Sequence, residues 1–156
     1  MRKLNLLAMD PSDWSHGQMR EGYRWRSSGV GRLLGASRIG ASLYDLADGE
    51  RTFPYHFHYG MEEWLIVVDG TPTLRQQGYE RELRTGDVVC FPTGPEGAHQ
   101  VRGPGTVLIL SATRSPEVIE YVDSGKVGVR PPGKIFRADS DVDYWEGEET
   151  REEIVE

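Results

Sequence analysis

The sequence predicts a single all-β domain, an antiparallel sandwich or barrel, and three observations carry that expectation. From about residue 31 to 113, short apolar-alternating runs are broken by Gly, Pro and Asp roughly every 8 to 12 positions. The strand-then-helix rhythm of a parallel α/β fold is missing from that stretch. The chain has 156 residues, enough for one domain with a real core and too few for two comfortable ones. No internal repeat is visible, so a duplicated two-barrel arrangement is not expected.

Taken in order, residues 1–30 read as an N-terminal extension packing on the barrel. The barrel itself, residues 31–113, begins with "RLLGASRIGASLYDL" and "RTFPYHFHY". It continues through "EEWLIVV", "TPTLRQQ", "YERELR", "DVVCFP", "AHQVRG" and "TVLILSAT". Asp48-Gly49, Asp69-Gly70, Gly78, Thr85-Gly86 and Gly103-Pro104-Gly105 mark the turns between runs. Residues 114–138 read as a short helix followed by an extended wrap over the domain. The helix is expected over "SPEVIEYV", with Ser115 as cap, Pro116 at the first helical position and Glu117 in the first turn.

Residues 139–156 form an acidic tail with nine acids and one base, Arg151, a net charge of −8. The preceding residues carry 17 bases against 16 acids, so the body is nearly neutral. Such a tail reads as a solvated end. No basic stripe suggests nucleic-acid binding, and no apolar run approaches the ~20 residues of a membrane span. The apolar stretch of "MRKLNLLAMDPSDW" is too brief for a secretory signal. One cysteine, Cys90, allows no intrachain disulfide, which fits a reducing, cytoplasmic location. On its apolar strand Cys90 reads as a small buried hydrophobe.

The chemistry-bearing stretch is "PYHFHYGMEEWLIVVDG". Alternate side chains of a strand share a face, so His56 and His58 project together, and Glu63 can join them across the ladder. His99 adds a third imidazole if its strand lies alongside. Three nitrogens and one carboxylate oxygen suit a divalent transition ion such as Zn, Fe, Mn or Ni, with positions left open for water or substrate. The wall around such an ion is expected to be apolar: Leu65, Val67, Val101, Leu108 and Leu110. Arg38 is the arginine best placed to meet an anionic ligand. His16 lies outside this constellation and reads as a surface residue.

Both halves of the constellation resemble the motifs of the cupin superfamily. Gly49, His56, His58, Glu63 and Gly70 are similar to the first motif, with four residues between His58 and Glu63 and six between Glu63 and Gly70. Gly86, Pro92, Gly94 and His99 are similar to the second. The departures are one extra residue between Gly49 and His56, a longer turn before His99, and Gly103 where the family often has asparagine. The resemblance implies a jelly-roll barrel (double-stranded β-helix) holding one metal ion on His56, His58, Glu63 and His99.

On the opposite strand faces, Phe53, Tyr55, Phe57 and Tyr59 are expected to point outward, as are Trp64, Ile66 and Val68. So much apolar surface calls for a cover, either the N-terminal segment or a second copy of the chain, and a two-fold homodimer is the expectation. The function expected is that of a metalloenzyme acting on a small oxygen-bearing metabolite as dioxygenase, isomerase or decarboxylase. The other reading is a non-catalytic module binding a small molecule or sugar. Neither nucleic acid nor membrane is an expected partner.

Overall fold

The computed structural model describes residues 3–17, 20–112 and 115–148. The end of the acidic tail, 149–156, therefore lies outside the described residues. In chain order the elements are β1 (Ser15–His16), β2 (Trp25–Ser28), α1 (Val30–Leu34), β3 (Ile39–Leu46), β4 (His56–His58) and β5 (Glu63–Gly70). They continue with β6 (Thr73–Gln76), β7 (Tyr79–Glu82), β8 (Val88–Phe91), β9 (Gln100–Arg102), β10 (Gly105–Ala112), β11 (Glu117–Tyr121), β12 (Lys126–Arg130) and β13 (Lys134–Arg137). All the strand pairings are antiparallel. The fold is an all-β jelly roll.

One sheet has the order β1-β2-β3-β10-β5-β8, a second β13-β12-β11-β4, and a third β7-β6-β9. The main core is drawn from both the first and the third: Leu46, Leu65, Val67, Val89, Val107 and Ile109 meet Leu74 and Val101. The central strands of the large sheet are buried on both faces. Leu43 and Leu108 turn the other way and pack with Val30, Leu110, Ile66 and Val68 under Leu4, Leu6, Met9 and Trp14. This explains why "EWLIVV" and "TVLIL" read as unbroken apolar runs rather than clean alternation.

The two-sided burial corrects the sequence reading in two places. On β10 the inward residues are Val107 and Ile109, so Leu108 and Leu110 do not line the interior. The faces counted as bare are also largely covered by the chain itself. Tyr55 and Phe57 are buried with Ala98, and Ile66 and Val68 lie under the N-terminal segment. Trp64, Val88 and Tyr59 stay exposed. Cys90 is exposed rather than buried, on the outer face of β8.

The helix expected over 115–122 is strand β11. Glu117 and Ile119 share the buried face, and the strand is paired on both sides, by β4 and β12. The capping pattern Ser-Pro-Glu is local, whereas β-branched Val118 and Ile119 with Tyr121 fit a pleated surface between two neighbours. The expected wrap is a short turn followed by the hairpin β12–β13. The helix present, α1, lies in a stretch read as part of the first strand and ends at Gly35, which has φ +79. At the other end of the large sheet Gly70 has φ +84, and a Cβ there would stand 2.7 Å from the Gly105 Cα, so β5 and β10 can close together only with glycine.

Because Leu65 is fully buried at the centre of the core, Leu65→Ala is expected to cost about 2–5 kcal/mol. Val88→Ala, on the exposed face, is expected to stay within about 0.5 kcal/mol. Denaturant unfolding of the two variants checks this, and equal losses would contradict the assigned faces.

Candidate metal centre

Strand β4 is three residues long and clamped on both sides. Strand β11 pairs with it through Tyr121↔His56 and Ile119↔His58. On its other edge His56 and His99 exchange both backbone hydrogen bonds, at 3.2 and 2.9 Å. Directly opposed residues of an antiparallel pair project to the same face, which brings His99 to the first two histidines from more than forty positions away. The His56 and His99 ring centroids are 4.7 Å apart, and those of His56 and His58 5.1 Å. Glu63 opens β5 opposite Phe91, and the Phe91 ring stacks flat on His99 at 3.7 Å, fixing its plane.

The hydrogen bonds set which nitrogen is available. His56 Nδ1 lies 2.8 Å from the Pro54 carbonyl, and His99 Nδ1 2.8 Å from the Gly97 carbonyl. His58 Nδ1 lies 3.3 Å from Glu117 Oε1. Each Nδ1 faces an acceptor and carries the proton there, which leaves the three Nε2 lone pairs free. Glu63 Oε2 lies 3.5 Å from His58 Nε2 and 3.4 Å from His99 Nε2. The ligand atoms of His56, His58 and Glu63 fall within 4.8 Å of one another. Lone pairs and a carboxylate converging in a buried site repel unless a positive charge lies between them. The donor set therefore fits a divalent ion.

The protonation properties follow from the same packing. Burial lowers the His56 pKa to about 4, helped by the neighbouring His99 and His58. Burial opposes charge on His58 too, but Glu63 and Glu117 outweigh it and raise its pKa. Burial likewise works to raise the pKa of Glu63, yet the neighbouring His58 and His99 rings bring it far below the carboxylate range.

Of the expected wall, Leu65, Val67 and Val101 belong to the buried core, while Leu108 and Leu110 sit on the far face. Arg38 is exposed in the bend before β3. Arg24 is paired with the buried Glu50, and Arg26 with Asp45. His16 is exposed on β1.

The sequence reading missed Glu117 and an aromatic frame. Tyr44 meets Trp25 at 5.2 Å and Phe53 at 5.4 Å, both edge-on, and Phe53 lies 6.0 Å from His56. The Tyr44 phenol is pushed up by burial, eased by the Ser42 hydroxyl within hydrogen-bonding reach, and pushed up further by the charge of Glu63. The Trp25 indole N–H is buried without an acceptor. Glu117 was signalled by period-2 spacing to Ile119 and Tyr121, which the capping pattern before it outweighed. Nothing in the linear sequence placed Trp25 near Tyr44.

A jelly-roll barrel presenting inward histidines and a glutamate is the architecture of cupin proteins. A cupin domain model matches residues 42–112, the stretch that holds His56, His58, Glu63 and His99. The chain is similar to a germin-like protein of Ipomoea nil, 31% identical over 102 residues, spanning 59% of this chain and about half, 47%, of that protein's length. Among solved structures, it is similar to a sugar phosphate isomerase of the cupin superfamily from Silicibacter pomeroyi. The TM-score is 0.70 and the identity 25%, over 75% of this chain and 78% of that one. A structure from Acidithiobacillus ferrooxidans, provisionally given the same activity, matches with TM-score 0.75 and 23% identity over 87% and 96% of the two chains. A polyketide cyclase of Streptomyces resistomycificus shares the fold, with TM-score 0.54 and 23% identity over 75% and 84%.

A prediction follows from His56. Its folded pKa of about 4 lies below the 6.5 of a free imidazole, so across that window the unfolded chain takes up a proton that the folded one refuses. Stability of the metal-free protein then falls as pH drops from 6.5 toward 4, by on the order of 3 kcal/mol from this group. His58, with its raised pKa, acts oppositely: its stabilisation is full below 6.5 and is lost as pH rises through the folded value. Calorimetry on acidification is expected to show a falling melting temperature, with a shallower slope in His56→Gln. An identical slope in that variant would remove His56 as the cause.

Proposed function

We propose that the protein is a metal-dependent cupin enzyme acting on a small oxygen-bearing metabolite, with isomerisation of a sugar-type substrate as the reaction it supports best. The observation that carries this reading is that the ligand atoms of His56, His58 and Glu63 lie within 4.8 Å of one another, with His99 Nε2 3.4 Å from Glu63 Oε2 and each Nδ1 held by its own acceptor. In this reading His56, His58, Glu63 and His99 are the ligands. The similarity to the Silicibacter pomeroyi sugar phosphate isomerase supports the reaction class. Zinc, manganese, iron and nickel all suit the donor set.

The chemistry such an ion supplies when bound is Lewis acidity toward a carbonyl or hydroxyl oxygen. The chain's own groups do the rest. Tyr44, supported by Ser42 and framed by Trp25 and Phe53, offers a phenolic proton at Oη to the substrate oxygen. The unpaired Trp25 N–H offers a second donor to an oxygen acceptor. Leu65, Val67 and Val101, all essentially inaccessible, exclude water from the floor of the barrel. Among the described residues no helix is long and apolar enough to cross a membrane.

Elemental analysis of protein expressed in metal-supplemented medium is expected to find close to one equivalent of a divalent transition metal, and less than about a tenth would count decisively against the reading. Isomerisation of sugars and sugar phosphates, followed by NMR, is expected to fall about 100-fold or more in Glu63→Gln. Tyr44→Phe is expected to lower kcat by about 100-fold with metal content unchanged. A protein whose Glu63→Gln variant binds its small molecule as the wild type does, with no turnover in either, would instead be a non-catalytic binding module.

A homodimer through the remaining apolar face of β5 and β8 is also part of the proposal, because Trp64 is 44% and Val88 54% exposed there. Light scattering is expected to give twice the chain mass, reduced to one in Trp64→Glu; a wild-type monomer at micromolar concentration would end that part.

A further inference from the structure

We propose that Glu117 is a positioning residue for the metal centre, contributed by the segment beyond the cupin domain: its carboxylate holds the Nδ1 proton of His58 and so presents Nε2 to the ion. The proposal rests on the metal-dependent reading above. The cupin domain match ends at residue 112, whereas Glu117 opens β11 and reaches the site because β11 pairs with β4.

Three observations carry it. The first is an asymmetry among the ligands. His56 and His99 give their Nδ1 protons to backbone carbonyls, of Pro54 and Gly97, while His58 alone faces a carboxylate, at 3.3 Å. An ionised acceptor raises the electron density of the imidazole and fixes its tautomer more strongly than a neutral one.

The second is the state of that carboxylate. Its side chain is 3% exposed. Oε1 receives the Gly60 N–H at 3.3 Å as well as the His58 proton. Oε2 is buried with no hydrogen-bond partner. A buried, half-satisfied carboxylate is a poor structural choice, since an amide or a hydrocarbon of similar shape would cost less. It becomes favourable when a cation lies one imidazole away. Glu63 and Glu117 together bring two negative charges to the site, the number that balances a divalent ion.

The third is the space kept for it. A Cβ at position 60 would lie 2.7 Å from Glu117 Oε2. The backbone across from Glu117 is therefore bare where the carboxylate lies against it.

The test is titration of metal-free, full-length protein with Co2+ and with Zn2+ by calorimetry, together with the visible absorption of the Co2+ form. The proteins compared are wild type, Glu117→Gln, Glu117→Ala and Gly60→Ala. Glu117→Gln is expected to weaken metal affinity about 10-fold and Glu117→Ala up to about 100-fold, with a shifted Co2+ absorption band in both. Gly60→Ala, which keeps the carboxylate but displaces it, is expected to weaken binding in the same direction. It decides the matter should the Glu117 variants fail to fold. Wild-type affinity and an unshifted Co2+ band in the folded variants would overturn the positioning role while leaving the metal reading intact. A wild type that binds neither ion would overturn both.

Discussion

The site depends on one electrostatic constraint: the ligand atoms of His56, His58 and Glu63 crowd within 4.8 Å of one another, with His99 Nε2 3.4 Å from the same carboxylate, inside a low-dielectric barrel. Each Nδ1 is spent on an acceptor outside the cluster, so no ring can turn its proton inward without breaking a buried hydrogen bond. The repulsion among the inward atoms can then be relieved only by a cation or by added protons. Much of the surrounding structure serves to keep the donors facing one another. Phe91 flattens His99 against the wall, the His56–His99 bridge fixes the register of two distant stretches, and β11 holds the other edge of β4.

That rigidity comes from burying the large sheet on both sides. Leu65, Val67, Val107 and Ile109 fill the interior below the cluster. On the reverse face Leu43 and Leu108 lie under Leu4, Leu6, Met9 and Trp14. A strand packed on both faces cannot slip register without exposing one apolar set and burying polar groups from the other. Glu63 is thereby kept opposite Phe91, and its carboxylate stays within reach of His58 and His99. Leu4, Leu6, Met9 and Trp14 thus support the centre from the far face of the sheet.

The barrel and its ligands were legible in the sequence because their signals are local. Period-2 patterning, glycine turns, and the spacing of His56, His58 and Glu63 all lie within short windows. His99 was legible through the glycine and proline pattern before it. The misreadings share a different origin, since they concern what a strand packs against. Leu108 and Leu110 looked like interior residues because a strand buried on both faces carries no parity in its hydrophobicity. Glu117 looked like the first turn of a helix because Ser-Pro-Glu is a sound local cap, and only pairing with β4 and β12 makes it a strand residue. The Trp25–Tyr44–Phe53 frame joins three separate segments, and nothing local marks it.

The same packing also separates groups that would otherwise titrate alike. His56 and His58 share a strand, yet one has its pKa lowered to about 4 and the other raised. The difference lies in their neighbours: His56 is buried between two imidazoles with a neutral carbonyl on Nδ1, whereas His58 stands between two carboxylates. In the metal-free protein a proton entering the cluster therefore settles between His58 and Glu63, on the Nε2 side of the ring where the ion is expected. Proton and metal compete for one position, so metal affinity rises as that proton is removed and falls when it returns. By pulling on the opposite nitrogen, the carboxylate of Glu117 strengthens His58 Nε2 toward either occupant.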